Sequence, residues 1–213
     1  FMAFGVSEFT ARLPAALLGV GGVVGTDLFG RTLFGKGVGL VGGMILTTSL
    51  GYVVLSRTIV HDISLAFFIS LSLLFFYWGY QGGRHQRWWY RLFYASAGMA
   101  VLSKGPIGLL LPALVIGLFL LSQGELKRLK EMELGWGAAV FSLIALPWYV
   151  LASLRDEDFA SYFFLHKNLG SFFSSKVQHH EPFYFYIPML LMPFFPWSCF
   201  LPSALIRSFP RGL

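Results

Sequence analysis

Long apolar runs, separated by short polar stretches, follow one another along nearly the whole chain. A helix needs about twenty apolar residues to cross a bilayer. By that measure the pattern predicts seven membrane-spanning helices, near residues 12–33, 38–56, 62–82, 88–103, 106–122, 134–154 and 182–206. We therefore expect an all-α membrane protein, a polytopic helical bundle that forms a single transmembrane domain over residues 1–213.

The longest polar connection, residues 155–181, has a pattern of its own. Its apolar residues recur at helix-like spacing, first Phe159, Phe163 and Leu165 and then Leu169, Phe172 and Phe173. Such spacing is typical of an amphipathic helix that lies in the membrane interface. We expect this stretch to be an external amphipathic segment that lies flat on the membrane.

The fourth and fifth predicted helices are separated only by Lys104-Gly105-Pro106, so one kinked helix is an alternative to two. Positively charged residues favour cytoplasmic loops. Two separate helices obey this rule, whereas one kinked helix would put the basic residues of 127–130 outside while those of 84–87 stayed inside. We keep seven helices, which gather most of the sixteen Lys and Arg residues on one side, the cytoplasmic one: Arg31, Lys36, Arg84, Arg87, Arg91, Lys127, Arg128, Lys130, Arg207 and Arg211.

Composition supports a membrane protein and excludes other classes. Hydrophobic residues make up 56% of the chain and charged residues 12%, whereas about a quarter of a soluble domain is charged. The net charge of +6 does not indicate nucleic-acid binding, because the basic residues form no stripe on a polar face. The single cysteine excludes an internal disulfide. From both ends of the chain we expect a segment of a longer polypeptide, with one helix and an external loop before residue 1.

Ionisable residues at membrane depth are costly and often functional, so the predicted external helix ends are candidate sites. Glu8 and Arg12 are spaced as a helical ion pair, for which a structural clamp is the simpler interpretation. Arg57, His61 and Asp62 lie in one tight external turn. Asp62 would open the next helix, so capping of free N–H groups is an alternative to a functional role.

Two further candidates lie on the predicted external side. Lys104 precedes a Gly-Pro break, and either a snorkelling lysine at a helix end or a ligand of lipid phosphate fits it. His166 and His180, with His179 beside the latter, flank or occupy the amphipathic segment. Such histidines could hold a divalent metal ion, but adjacent residues cannot all face one ion, and interfacial polar contacts are the alternative.

The motifs of the chain, taken in order, resemble a family. They are residues 8–14 (EFTARLP), 56–62 (SRTIVHD), 102–106 (LSKGP), 147–149 (PWY) and 180–188 (HEPFYFYIP), followed by 195–198 (FPWS). Together they are similar to the polyprenyl-phosphate-sugar glycosyltransferases of the protein O-mannosyltransferase and aminoarabinose (lipid A) transferase superfamily. The resemblance covers nearly the whole chain and implies a C-type glycosyltransferase fold with its active site at the external face of the membrane.

The resemblance also implies a chemistry. The donor would be a sugar on a polyprenyl phosphate, the acceptor lipid A, a protein or an envelope glycan, and the location a bacterial inner membrane. The general base would lie before residue 1, so this segment alone should be inactive. Asp62 matches a supporting acid, and Arg57 and Lys104 match basic positions near the donor phosphate. One departure is Ser171, where members commonly carry arginine; it weakens the placing of the amphipathic segment in the site or indicates an altered acceptor.

The expected reaction is a single displacement that inverts the anomeric carbon. It requires a base for the acceptor proton and cations for the departing phosphate, and we expect Arg57, Asp62 and Lys104 to converge on one external pocket. A transporter or flippase of lipid-linked sugars is the rival, and a structural scaffold a third possibility. A transporter should carry ionisable groups near the membrane midplane. Asp27 is the clear candidate within a predicted helix, and we expect Arg31, four residues on, to pair with it.

Overall fold

The structure, a computed structural model, describes residues 7–155 and 182–208. Every regular element in these residues is helical, as predicted. The α-helices are α1 (Glu8–Phe34), α2 (Lys36–Thr48), α3 (Leu50–Arg57), α4 (Asp62–Tyr80), α5 (Gln86–Lys104), α6 (Ile107–Ser122), α7 (Leu134–Arg155), α8 (Tyr186–Leu191) and α9 (Leu201–Ser208). Short 3₁₀ helices cover Leu126–Met132, Phe183–Phe185 and Trp197–Phe200.

Two compact units make up the chain. Unit 1 contains residues 1–63 and 181–213, and unit 2 contains residues 64–180. The expectation of one transmembrane domain over the whole chain stays a prediction. The amphipathic segment predicted for residues 155–181 lies, except for Arg155 at the end of α7, outside the described residues.

In unit 1, α1 packs closely against α2 and α3. A capping box begins α1, in which Ser7 and Thr10 satisfy each other's backbone N–H groups. Glycines then line the contact: Gly19 and Gly22 are buried on α1 and Gly39 is buried on α2. A Cβ atom on Gly39 would collide with the backbone of α1. Small residues therefore allow the helices to approach, which is how membrane helices pack in the absence of a hydrophobic driving force between them.

The helix predicted for residues 38–56 is broken in two. Ser49 is extended, with φ −73° and ψ 124°, and α2 and α3 meet there at an angle of 65°. A break frees backbone N–H groups that lipid cannot satisfy. Here the Leu50 N–H donates to the Phe195 carbonyl at 3.0 Å and the Gly51 N–H to the Pro193 carbonyl at 2.7 Å. The segment 193–197 therefore closes the break.

The single helix predicted for residues 182–206 is corrected to a series of short helices: Phe183–Phe185, α8, Trp197–Phe200 and α9. The reason is proline, which lacks a backbone N–H and disfavours a helical residue before it. Five prolines, at positions 182, 188, 193, 196 and 202, fall in this stretch. Between α8 and α9, the carbonyls of Pro193 and Phe195 accept hydrogen bonds from α3 and not from a continuing helix.

In unit 2, α5 lies at the centre and packs against α6 and α7. Its buried face includes Tyr90, Phe93, Tyr94 and Ala97, and the aromatic ones belong to the core of the unit together with Phe76 and others. α5 is the least apolar of the long helices because charged residues lie near its ends, Arg87 and Arg91 at the start and Lys104 at the end.

The helices α5 and α6 are separate and lie side by side. Gly105 ends α5 with φ 89°, a conformation that favours glycine. Beyond the turn, Gly108 lies against the backbone of Ala100 and Val101, where a Cβ atom would collide. The chain therefore reverses at Gly105 and does not continue as one kinked helix.

By length and composition three helices of the described residues, α1, α4 and α7, can each cross a membrane. The bent pair α2 and α3 makes a fourth if it is one broken span, while α6 is apolar but has only 16 residues. Large apolar side chains point outward from these helices, with Leu143 and Leu154 of α7 both 77% exposed. Lipid is the solvent that suits such a surface.

Candidate functional site

Arg57 and Asp62 stand at two helix ends on either side of one short turn. Arg57 is the last residue of α3, where a cation meets the negative end of the helix dipole. His61 lies in the turn and Asp62 in the first turn of α4, where an acid meets the positive end. Arg57 and His61 are exposed and Asp62 is half-buried above the buried Ile63. Each charge is therefore compatible with its helix end and still accessible to a ligand.

Arg57 shares a pocket with the predicted ion pair at the start of α1. The pocket has a volume of about 290 Å³ and is lined by Glu8, Phe9, Arg12, Leu13, Ala16, Ser56 and Arg57. The predicted pair is present, since an Arg12 guanidinium nitrogen lies 3.3 Å from Glu8 Oε1. Its side chains are largely exposed, so the pair is a weak clamp.

Packing between α1 and α3 brings these residues together. A Cβ atom on Gly19 would lie 2.6 Å from the Cβ of Ser56, so only glycine allows this approach. One turn earlier on α3, the Tyr52 hydroxyl donates to the Gly19 carbonyl at 2.7 Å. These two contacts hold the last turn of α3 against the first half of α1. Sequence reasoning missed the place of Arg57 beside Arg12, although Gly19 lies in the glycine run that indicates close packing.

The pocket has an excess of positive charge, with two guanidinium groups and one carboxylate. Glu8 is bonded to Arg12, and Arg57 has no ion pair with the described residues. Guanidinium groups bind phosphate oxygens through paired N–H donors. The apolar residues that line the pocket, such as Phe9 and Leu13, suit the hydrocarbon part of a lipid. This end of unit 1 can therefore receive an anionic group carried on an apolar chain.

Lys104 belongs to unit 2, at the end of α5. It is exposed, and the N–H of the following Gly105 donates to the Val101 carbonyl at 2.7 Å. The contact of Gly108 with Ala100 fixes this turn, so the lysine is presented from a rigid helix end. The predicted convergence of Lys104 with Arg57 and Asp62 stays a prediction.

The histidine candidates His166 and His180 lie outside the described residues. Among residues 7–155 and 182–208 no group of three or more His, Cys, Asp or Glu residues is arranged to hold a metal ion. A divalent metal at the histidines therefore stays a prediction.

Asp27, the ionisable residue within α1, forms the predicted ion pair with Arg31. Asp27 Oδ2 lies 2.6 Å from a guanidinium nitrogen of Arg31, one helical turn on, and Arg31 Nε donates to Asp27 Oδ1 at 2.7 Å. The carboxylate is thereby neutralised locally. This confirms the pairing that argues against Asp27 as part of a transport path.

Comparison with known proteins identifies the family. Residues 1–163 match the family described as dolichyl-phosphate-mannose-protein mannosyltransferase. The undecaprenyl phosphate-α-4-amino-4-deoxy-L-arabinose arabinosyl transferase of Pseudomonas paraeruginosa is 34% identical over 152 residues, which are 69% of this chain and 27% of that protein. The protein of the same name from Aeromonas hydrophila is 37% identical over 121 residues, 56% of this chain and 22% of its own length.

Solved structures agree with the sequence relatives. The crystal structure of ArnT from Cupriavidus metallidurans bound to undecaprenyl phosphate matches with a TM-score of 0.85 and 26% identity, over 97% of this chain and 39% of that one. The apo structure of the same protein matches with a TM-score of 0.81 and 27% identity, over 94% of this chain and 37% of that one. The chain thus spans about a quarter of the curated relatives it matches. The predicted all-α membrane fold and the predicted superfamily are confirmed, and the chain belongs to the dolichyl-phosphate-mannose-protein mannosyltransferase family.

Proposed function

We propose that the full-length protein that carries this sequence is a membrane glycosyltransferase in a bacterial inner membrane. It transfers a sugar from a polyprenyl-phosphate donor to an acceptor on the external side. The observation that supports this most is the likeness of nearly the whole chain to a structure that holds undecaprenyl phosphate. The pocket beside Arg57, cationic and partly apolar, is the kind of surface that such a lipid requires.

The donor sugar that we propose is 4-amino-4-deoxy-L-arabinose, because the relatives named above use it on undecaprenyl phosphate. For the acceptor we propose lipid A, with a protein hydroxyl or an envelope glycan as the alternatives. Each of these presents an oxygen nucleophile outside the cytoplasm. A panel of the three acceptors with one labelled donor distinguishes them.

The proposed reaction is a single displacement at the anomeric carbon of the donor sugar. The acceptor oxygen forms a bond to the anomeric carbon while the bond from that carbon to the donor phosphate oxygen breaks, with inversion. The acceptor proton goes to a general base, and the phosphate leaves with the electron pair. We assign Arg57 and Lys104 to stabilise the charge on the phosphate, His61 to contact the donor, and Asp62 to orient the acceptor.

The experiment that tests this proposal separates an enzyme from a transporter or flippase. The full-length protein is reconstituted in vesicles with labelled undecaprenyl-phosphate-aminoarabinose and lipid A. We expect labelled lipid A and free undecaprenyl phosphate to appear in equal amounts. Movement of the intact donor across the vesicle membrane, without either product, would support a transporter instead.

A divalent metal ion at the histidines of the segment 166–180 is a separate proposal, supported by their grouping in the sequence. If such an ion takes part, EDTA should abolish transfer and added Mn²⁺ or Zn²⁺ should restore it, because a chelator removes an accessible ion. Transfer at the full rate after treatment with EDTA and gel filtration would exclude the ion. His166→Ala should then also leave the rate unchanged.

A further inference from the structure

The end of unit 2 opposite to Lys104 has a strong excess of positive charge. The end of α4, the start of α5, the end of α6 and the start of α7 lie there, joined by the 3₁₀ helix Leu126–Met132. Six cations face three carboxylates within this region, which we term the basic end: Arg84, Arg87, Arg91, Lys127, Arg128 and Lys130 against Glu125, Glu131 and Glu133.

Two of the carboxylates are already paired with arginines of the basic end. Glu133 lies 3.2 Å from Arg87 Nε and 3.4 Å from Arg91 Nε, the second contact without hydrogen-bond geometry. Glu125 lies 2.9 Å from Arg128 Nε and accepts a hydrogen bond from the Tyr80 hydroxyl at 2.8 Å.

Those contacts tie the 3₁₀ helix to the helices beside it. Arg128 also donates to the Tyr80 carbonyl at 3.0 Å and lies over the Tyr80 ring, 4.6 Å from its centroid. The basic end is therefore a built surface with fixed cations and not a loose tail.

Three cations stay outside this network. Arg84, Lys127 and Lys130 are exposed and make no ion pair within the part of the chain that the structure describes. Glu131, the third carboxylate, accepts a long hydrogen bond from Gln86 at 3.5 Å and has no ion pair with the described residues. The outward face of the basic end thus presents unneutralised positive charge.

Two tryptophans mark the depth of this face in the membrane. Trp88 and Trp136, each in the first turn of its helix, are 61% and 65% exposed. The Arg91 guanidinium lies between them, 5.4 Å from the Trp88 ring centroid and 5.5 Å from that of Trp136. Exposed tryptophans at helix ends sit at the level of the lipid headgroups, and their faces attract cations. Arg84, Lys127 and Lys130, in the connections at the same helix ends, therefore lie near headgroup level.

We propose that the basic end of unit 2 binds the headgroups of anionic phospholipids in the cytoplasmic leaflet. The phosphate groups lie against Arg84, Lys127 and Lys130, while Trp88 and Trp136 pack against the upper acyl chains. Topology alone accounts for a bias of positive charge, but not for exposed tryptophans that flank a fixed arginine. This binding surface lies at the other ends of α4 and α5 from Asp62 and Lys104, so it goes beyond the proposed transferase function.

The test measures lipid binding and not transfer. Purified full-length protein in a neutral detergent is titrated with phosphatidylglycerol or phosphatidylcholine, and bound lipid is counted by native mass spectrometry. We expect phosphatidylglycerol to bind more tightly. In the triple variant Arg84→Gln/Lys127→Gln/Lys130→Gln, its affinity should fall by about tenfold or more, since each cation near an anionic surface adds to the attraction.

A charge-preserving triple variant is the matched control. Arg84→Lys/Lys127→Arg/Lys130→Arg should keep the affinity of the unchanged protein, because the attraction depends on charge and not on one side-chain shape. Equal affinity for the two lipids, or no loss in the glutamine variant, would overturn the proposal. If the glutamine variant does not fold, the unchanged protein decides: affinity that is the same at low salt and at about 1 M salt, where the Debye length is about 3 Å, would also overturn it.

Discussion

At the scale of residues, the charges of unit 1 differ in how far the protein itself neutralises them. Arg12 has Glu8 as its partner and Arg31 has Asp27, whereas Arg57 has no ion pair with the described residues of the pocket it lines. A guanidinium without a protein partner is available to an external anion. Arg57 is thus the residue of this pocket best suited to a ligand phosphate.

The lysine at the end of α5 allows a direct test of phosphate stabilisation in the full-length protein. Lys104→Ala should lower kcat for sugar transfer by about 10²- to 10³-fold, as is common when a group that stabilises charge in the transition state is lost. Asp62→Asn should lower kcat with little change in the KM for the donor, because its proposed role concerns the acceptor. Transfer rates from a labelled donor measure both. Lys36→Ala, also an exposed lysine at a helix end, is the control and should keep the normal rate.

The pair within α1 leads to a prediction about stability. Asp27 is 19% exposed and Arg31 43%, so the carboxylate depends on its partner more than the guanidinium does. Arg31→Ala leaves the Asp27 carboxylate without its ion-pair partner and should lower the free energy of unfolding. Asp27→Asn removes the charge itself and should cost less. Thermal unfolding in detergent compares the two, and an equal loss in both variants would contradict this order.

Residue pairs within one helix could be predicted from the sequence, and pairs between helices could not. Glu8 with Arg12 and Asp27 with Arg31 follow from helix spacing alone, and the structure has both. The place of Arg57 beside Arg12 depends on how closely α3 approaches α1. That distance is set by Gly19 and Ser56, which lie far apart in sequence, so no local pattern encodes it.

At the scale of elements, the break between α2 and α3 depends on a segment distant in sequence. Thr47, Thr48 and Ser49 have their hydroxyls bonded to carbonyls of the preceding turn, which itself favours a bend. The Trp197 indole N–H donates to the Thr48 hydroxyl at 2.8 Å and so adds a third contact from the segment 193–197. The direction of α3, and with it the place of Arg57, rests on these contacts.

Two substitutions test this junction. Gly51→Ala places a Cβ atom on Pro193 and should displace the segment, with a loss of about 1–3 kcal/mol in the free energy of unfolding. Trp197→Phe removes one hydrogen bond and should cost about 1 kcal/mol, with faster amide exchange at Leu50 and Gly51. Hydrogen–deuterium exchange with mass spectrometry measures the effect. Gly117→Ala, at a glycine with open space around it, is the control. Unchanged amide exchange in both test variants would show that the segment 193–197 does not stabilise the break.

Sequence patterns located most helices but not the breaks between them. Apolar runs predicted helices where α1, α4, α6 and α7 lie, because lipid requires such runs. The local sequence does not predict the break at Ser49, because the freed N–H groups are satisfied by residues about 145 positions away along the chain. In residues 182–206 the prolines were visible, but the apolar composition outweighed them in the prediction.

At the scale of the whole molecule, the fold class and the family followed from the sequence for different reasons. The membrane class rests on hydropathy, which adds up along the chain and needs no knowledge of packing; the mean value is +0.67. The family rests on short motifs in a fixed order, and the match over residues 1–163 confirms it. Hydropathy does not predict which helix the protein itself buries. α5 has a polar start, yet its aromatic face lies in the core of unit 2.

We propose above that Arg57 and Lys104 hold the phosphate of a polyprenyl lipid in the full-length protein. The most direct measurement is the dissociation constant of undecaprenyl phosphate for the purified full-length protein and for the variant Arg57→Ala/Lys104→Ala. Loss of two charge-assisted contacts should raise this constant about 100-fold. The control Lys36→Ala/Arg207→Ala, which removes the same two residue types from exposed positions, should leave it unchanged. A dissociation constant that is the same in the test variant and the unchanged protein would show that these two cations do not hold the phosphate.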